Sequence, residues 1–276
     1  MAPAPTTLES LLQDLEDEHA DLDGLVGPLD EASWALGTPA AGWAVRDQIS
    51  HLAFFDDAAT MAITEPARFS AMAEAAMAAA GDPMEEHLRR GRAMAGHDVL
   101  AWWRTSRHAM TAAAGSLGPR DRVLWFGPPM GALSFVSARL METWAHGQDV
   151  ADALGVTRVP TARLRHVAHL GVQARPFSYV VRGLEVPTAP VRVELTGPSG
   201  EQWEWGDDDG PDAVRGTALD FCLIVTQRRH LSETGLTVQG AGAAEWLAIA
   251  QAFAGPPGLG RQPGAVGTPS GARHQG

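Results

Sequence analysis

Arg139-Leu-Met-Glu142-Thr-Trp-Ala-His146-Gly-Gln-Asp149 is the stretch on which the reading of this chain turns. It lies inside a helical pattern from about Leu133 to Leu154, where Leu133, Val136, Leu140, Trp144 and Leu154 form an apolar stripe and Gly155 supplies the stop. Beside that stripe, Arg139, Glu142, His146 and Asp149 recur at steps of three, four and three. On a helix of 3.6 residues per turn these positions stack one above another. Glu142 and His146 can therefore both reach a single metal ion. Two ligands do not make a site, and a third has to come from another helix.

His51 offers it. It sits among Ile49, Leu52, Phe54 and Phe55 in a second helical segment, about Val45–Ile63, with Asp47 one turn earlier. A metal-bound imidazole commonly gives its second nitrogen to a carboxylate or carbonyl. Asp47 is placed to serve His51, and Asp149 or a carbonyl to serve His146. Two His and one Glu suit zinc and leave a fourth position open for water or substrate, the mark of a catalytic site. The same set also serves nickel, iron or manganese. Spacing alone leaves a plain reading open as well, since Glu/His pairs at i and i+4 also occur as surface ion pairs.

The composition narrows what such a site serves. Of the 276 residues, 21 are basic and 33 acidic, for a net charge of −12. No basic stripe is present to displace counterions from a phosphate backbone, so nucleic acid is not an expected partner. Every basic residue is Arg, from Arg46 to Arg273, which removes Schiff-base chemistry and Lys-dependent phosphate loops. The one cysteine, Cys222, lies amid Phe221, Leu223 and Ile224 and reads as buried packing; a disulfide or a Cys-based zinc cluster within the chain is excluded. MAPAPTTLES lacks a basic region followed by an apolar core, and no apolar run approaches the ~20 residues of a membrane span. No membrane partner and a cytoplasmic location are expected.

Working outward, the chain is helical up to about Gly155. Leu8, Leu11, Leu12, Leu15 and Leu22 mark a first helix; others are expected over roughly Pro66–Ala79, Met84–Met94 and His97–Leu117. Ala162 to about Gln173 reads as a further helix, with Pro176 interrupting the pattern. The character then changes. Val191–Leu195 and Glu201–Trp205 alternate, joined by Gly197-Pro-Ser-Gly200 as a hairpin. Ala218–Gln227 reads as a helix, Leu236–Gln239 as a short strand and Ala243–Ala254 as a last helix. The expected organisation is a metal-binding helical domain at 1–160, a connecting helix and linker at 161–184, a small α+β domain at 185–255 and a disordered tail at 256–276. The remaining candidates read as ordinary. His19, His87, His97 and His108 are expected on helix surfaces, and His166 and His169 on a solvated or interdomain face beside Arg163 and Arg165. Trp102 and Trp103 belong to a core, and Asp207-Asp-Asp-Gly210 to a solvated turn.

Gly42-Trp-Ala-Val-Arg-Asp47-Gln-Ile-Ser-His51-Leu, followed by the Arg139–Asp149 stretch, resembles the mycothiol-dependent maleylpyruvate isomerase family, part of the DinB-like metal-binding group. Both of that family's motifs, Trp-x-x-x-Asp-x-x-x-His and Glu-x-x-x-His-x-x-Asp, are present, and the resemblance spans about residues 6–255. It implies an α-helical DinB-like four-helix bundle followed by a small α+β domain resembling a sterol carrier protein fold. It implies a divalent metal, usually Zn2+, on His51, Glu142 and His146, with Asp47, Asp149 and Arg139 around them, and mycothiol as co-substrate. The thiol, deprotonated at the metal, then attacks a small electrophilic substrate, giving S-transfer or a cis–trans isomerisation. Gln227-Arg228-Arg229-His230 matches the place of an Arg that matters in the family's small domain, so Arg229 is the expected clamp for a substrate carboxylate. Positive charge at a helix C-terminus accounts for the same residues. The runs Asp220–His230 and Ala250–Pro257 depart from the isomerases and look like another actinobacterial branch, which leaves the electrophile open. A non-catalytic metal-binding or apolar-ligand-binding protein is the alternative; it calls for a fourth protein ligand, and none is evident near the motifs.

Overall fold

The computed structural model describes residues 6–78, 83–206, 210–258 and 260–264. Asp207-Asp-Asp209 and the tail beyond 264 lie outside the described residues. The chain divides into two compact units, 1–150 and 151–276.

The first unit is helical. α1 (Leu8–Val26) opens on a reciprocal cap: Thr7 Oγ1 accepts the Ser10 N–H and Ser10 Oγ accepts the Thr7 N–H, both at 3.1 Å. A single turn, α2 (Glu31–Trp34), starts where the Asp30 carboxylate takes the Ser33 N–H; its four residues are too few to register as a periodic pattern. α3 (Val45–Thr64), α4 (Pro66–Ala78), α5 (Pro83–Arg92) and α6 (Gly96–Ala114) follow. α3 is the hub: α6 packs broadly on it, α4 and α5 also pack on it, and α1 lies on α6. Ile49, Leu52, Trp34, Val99, Trp103 and Met110 are among the side chains that fill the interior, at about 1.5–3 kcal/mol per large side chain. Gly96 permits close packing, since a Cβ there would stand 2.3 Å from the Trp34 ring.

A minimal antiparallel pair, β1 (Arg122–Val123) and β2 (Met130–Gly131), ties off the loop carrying Trp125 and Phe126. α7 (Ala132–Leu154) comes next. Its expected apolar stripe holds at Val136, Leu140 and Trp144, which are buried, and fails at Leu133, which is 43% exposed in the first turn. Two histidines expected at the surface are interior: His19 on α1 and His87 on α5 are both buried, whereas His97 and His108 are exposed.

The second unit is mixed. The last turn of α7 ends at Gly155 (φ +67°), where the Val156 N–H reaches the Ala151 carbonyl. α8 (Leu164–Gln173) and α9 (Arg175–Val180) follow, Pro176 opening the latter rather than ending a longer helix. β3 (Arg192–Thr196) and β4 (Gln202–Trp205) form the expected hairpin, with Leu195 opposite Trp203. The strand beside β3 was not foreseen: β5 (Ala213–Thr217) runs parallel to it, and β6 (Thr237–Gln239) closes the sheet in the order β4-β3-β5-β6. α10 (Ala218–Val225) packs on α8, β5 and β3, and α11 (Ala241–Ile249) on α9 and β6. Cys222 is buried here and its Sγ meets the Leu164 carbonyl, as expected of packing. No helix among the described residues is long and apolar enough to cross a membrane.

Candidate metal centre

α3 and α7 bring three ligand-type side chains together. Glu142 Oε2 stands 3.2 Å from His146 Nε2 and 3.9 Å from His51 Nε2, and one donor atom from each residue lies within 4.8 Å of the others. Ligands ~2.0–2.2 Å from a tetrahedral zinc stand about 3.4 Å apart, so the set fits that ion with little adjustment. Both imidazoles are buried; Glu142 keeps part of its side chain in contact with solvent. The Trp43 ring covers the pair, stacked on His146 at 5.9 Å and tilted over His51 at 5.3 Å.

The tautomer of His146 is fixed by a relay that sequence reasoning missed. The Thr38 hydroxyl donates to the Trp43 carbonyl, which can only accept. Thr38 Oγ1 in turn accepts from Gln48 Nε2 at 2.8 Å, which orients the amide and turns Gln48 Oε1 toward His146 Nδ1. Nδ1 therefore carries the proton, and the Nε2 lone pair faces Glu142. Gln48 was legible as a candidate, because it lies one turn before His51 on the same face of α3.

Electrostatics act on two of the three, His51 and Glu142. Burial pushes His51 down to about 3, with His146 adding to the effect, so its ring is neutral near pH 7. Burial alone would raise the Glu142 carboxyl; when the His146 and His51 rings beside it carry protons, their hydrogen bonds and charge outweigh burial and hold Glu142 well below the ordinary range. His51 Nδ1 is buried without a hydrogen-bond partner.

The other anticipated residues sit around the trio or away from it. Asp47 does not reach His51: its Oδ2 accepts the Ala44 N–H at 2.9 Å, capping α3, and its Oδ1 accepts Arg92 Nε at 2.9 Å. Arg139 donates from Nε and Nη2 to Asp56 Oδ1, at 3.1 and 2.8 Å, in a fully interior ion pair. Asp149 is buried on α7. In the second unit, both terminal nitrogens of Arg229 grip Asp152, at 2.7 and 2.8 Å, so this guanidinium already holds a carboxylate of its own chain. His169 Nδ1 accepts the Trp205 indole N–H at 3.1 Å.

A row of aromatic rings, also unforeseen as a group, borders His51. Phe55 lies 4.6 Å from it and His87 5.4 Å, with Phe54 stacked on His87.

The model of the mycothiol maleylpyruvate isomerase N-terminal domain matches residues 15–151. An uncharacterized protein of Mycobacterium tuberculosis strain H37Rv is 46% identical over 248 residues, covering 90% of this chain and 96% of that protein, and its counterpart in strain CDC 1551 / Oshkosh matches equally. The crystal structure of the mycothiol-dependent maleylpyruvate isomerase aligns at a TM-score of 0.59 and 16% identity over 84% of this chain and 93% of that one. A histidine-to-alanine mutant of it aligns at 0.57. At that identity the likeness is one of fold.

Proposed function

This chain belongs to the mycothiol maleylpyruvate isomerase family, and we propose that it is a divalent-metal-dependent enzyme using mycothiol against a small electrophilic substrate, as an isomerase or S-transferase. The reading rests on the face between α3 and α7. There the Glu142 carboxylate oxygen and the His146 Nε2 lone pair stand 3.2 Å apart with His51 Nε2 beside them. Acceptors aimed at one another at that distance repel unless a cation lies between them. A zinc ion held by His51, Glu142 and His146 would supply the Lewis acidity that brings a thiol's proton loss toward neutral pH.

The chain's own residues set up that chemistry. Gln48 holds His146 with Nε2 free to ligate, Glu142 contributes the anionic charge a dication requires, and Trp43 covers one side of both rings. The thiolate sulfur forms a bond to the electrophilic carbon, and the displaced π pair moves onto the conjugated carbonyl. Proton uptake then leaves an S-adduct. Alternatively, rotation about the former double bond and expulsion of the thiolate give the isomer and return the thiol. The finer picture accompanies this reading: a DinB-like four-helix bundle at 1–160, a linker at 161–184, a sterol-carrier-like domain at 185–255, and work in the cytoplasm.

Elemental mass spectrometry on the wild type and on His146→Ala, prepared identically, is the test. The expected result is about one equivalent of metal in the wild type, lost in the variant together with mycothiol-dependent turnover. Metal and turnover that both survive alanine at His51 or His146 would defeat the assignment.

A further inference from the structure

The rings beside His51 continue outward as a connected row. Phe55 lies 5.7 Å from Phe126 and 6.1 Å from Trp125, which meet each other edge to face at 5.1 Å. Behind them, Phe69 stacks on Trp125 at 5.7 Å and Phe135 meets it edge-on at 5.2 Å; both are fully buried and back the row. Phe55, Trp125 and Phe126 are only half-buried. They thus present aromatic surface to solvent within one ring's reach of a metal ligand, Phe55 from α3 and the other two from the loop pinned by β1 and β2.

The charges nearby are already engaged. Arg92 holds Asp47, Arg139 holds Asp56, Arg46 holds Glu31, and Arg122 on β1 donates to the Pro129 carbonyl. A dicarboxylate entering this side would have to draw a guanidinium away from Asp47, Asp56 or the Pro129 carbonyl. In the second unit Arg229 is likewise paired, with Asp152.

We infer that the electrophile is planar and uncharged, an aryl- or alkenyl-conjugated carbonyl, whose apolar part lies against Phe55, Trp125 and Phe126. This rests on the thiol-enzyme reading above, and it makes these three residues specificity determinants. Aromatic faces favour flat, quadrupole-matched partners, and their negative faces disfavour a carboxylate.

Equilibrium binding separates this inference from the activity it rests on. The metal-loaded full chain is titrated by calorimetry with two unreactive probes, 4-phenylbutan-2-one and succinate. The aryl ketone should bind at least about tenfold more tightly than succinate, and Phe55→Leu and Trp125→Leu should each weaken it by about threefold to tenfold while metal content stays at that of the wild type. Succinate binding as tightly as the ketone, or ketone binding untouched by both substitutions, overturns the inference. Mycothiol-dependent turnover is measured in parallel with 4-phenylbut-3-en-2-one and with maleylpyruvate. Turnover that prefers maleylpyruvate overturns the inference and leaves the enzyme standing. Turnover of neither by the fully loaded chain defeats the thiol-enzyme reading, and the inference falls with it.

Discussion

Gln48 Oε1 lies 2.5 Å from Nδ1 of His146, and the direction of that hydrogen bond is dictated from the Trp43 carbonyl through Thr38. A side chain that touches no metal thus decides which nitrogen of His146 can bind one. Gln48→Leu removes the acceptor and frees the ring to adopt either tautomer. Metal affinity should fall ~10–100-fold, as for other outer partners of ligating histidines. Gln48→Glu, which keeps an acceptor, should retain it. Competition against a calibrated zinc chelator reads both. An unchanged affinity in the leucine variant would show that the relay does not govern the site.

The interior ion pair of Asp56 and Arg139 makes a different kind of prediction. Burial raises the Asp56 carboxyl, only partly offset by Arg139, and its Oδ2 has no hydrogen-bond partner. Removing one partner strands a buried charge, so Arg139→Met should cost about 3–5 kcal/mol. The double variant Asp56→Leu/Arg139→Met should recover most of that loss, because an apolar pair of similar volume needs no compensation. Urea unfolding of both variants checks this; a double variant as unstable as the single one would mean that the pair contributes by shape rather than charge.

α5 approaches α3 where Gly91 faces Ser50, the residue before His51. A Cβ on Gly91 would stand 2.4 Å from the Ser50 Cβ and Oγ. Gly91→Ala gains helix propensity, roughly 1 kcal/mol, yet the overlap should outweigh it and leave a net loss of about 1–2 kcal/mol. The displaced α5 also carries Arg92, the partner of Asp47, so metal affinity should weaken with stability. A variant more stable than wild type in urea would contradict the tight approach.

What the sequence made legible follows from the range of each interaction. Helix periodicity and the i, i+4 spacing of Glu142 and His146 are local, and α3 and α7 stand within a residue or so of where the pattern put them. The convergence of His51 on that pair was reached from chemistry and resemblance together. The relay through Gln48 was not, because it depends on Thr38, ten residues away in a loop, and on which of two adjacent polar residues, Asp47 or Gln48, turns inward. Asp47 was drawn off by the helix N-terminus, a role its third position in α3 already signals. Arg139 was read beside Glu142 on one helix, whereas its partner Asp56 comes from another, and no spacing within α7 encodes that. β5 escaped because Ala-Val-Arg-Gly-Thr shows neither length nor alternation, and only the neighbouring strands make it part of the sheet. His87 and His19 looked like surface residues because polarity says nothing about what packs over a side chain.

His19 supplies the pH prediction. Burial, with lesser contributions from Arg107, Arg139 and His108, pushes its pKa from 6.5 to about 3, and it rests edge-on against Trp103 in the core. The unfolded chain binds this proton below pH 6.5 while the folded chain refuses it until about pH 3, so stability rises with pH across that window. Lowering the pH from 7.5 to 4 should therefore cost roughly 3 kcal/mol through this residue. His19→Phe removes the titration and fills the same apolar site, at the expense of some misfit with Trp103. Its urea unfolding free energy, measured at pH 7.5, 5 and 4, should fall less steeply than that of the wild type, by close to one proton's worth of slope between pH 6 and 4. Parallel pH profiles for the two proteins would mean that the imidazole is protonated in the fold, held by a charge or a water that its present surroundings do not supply.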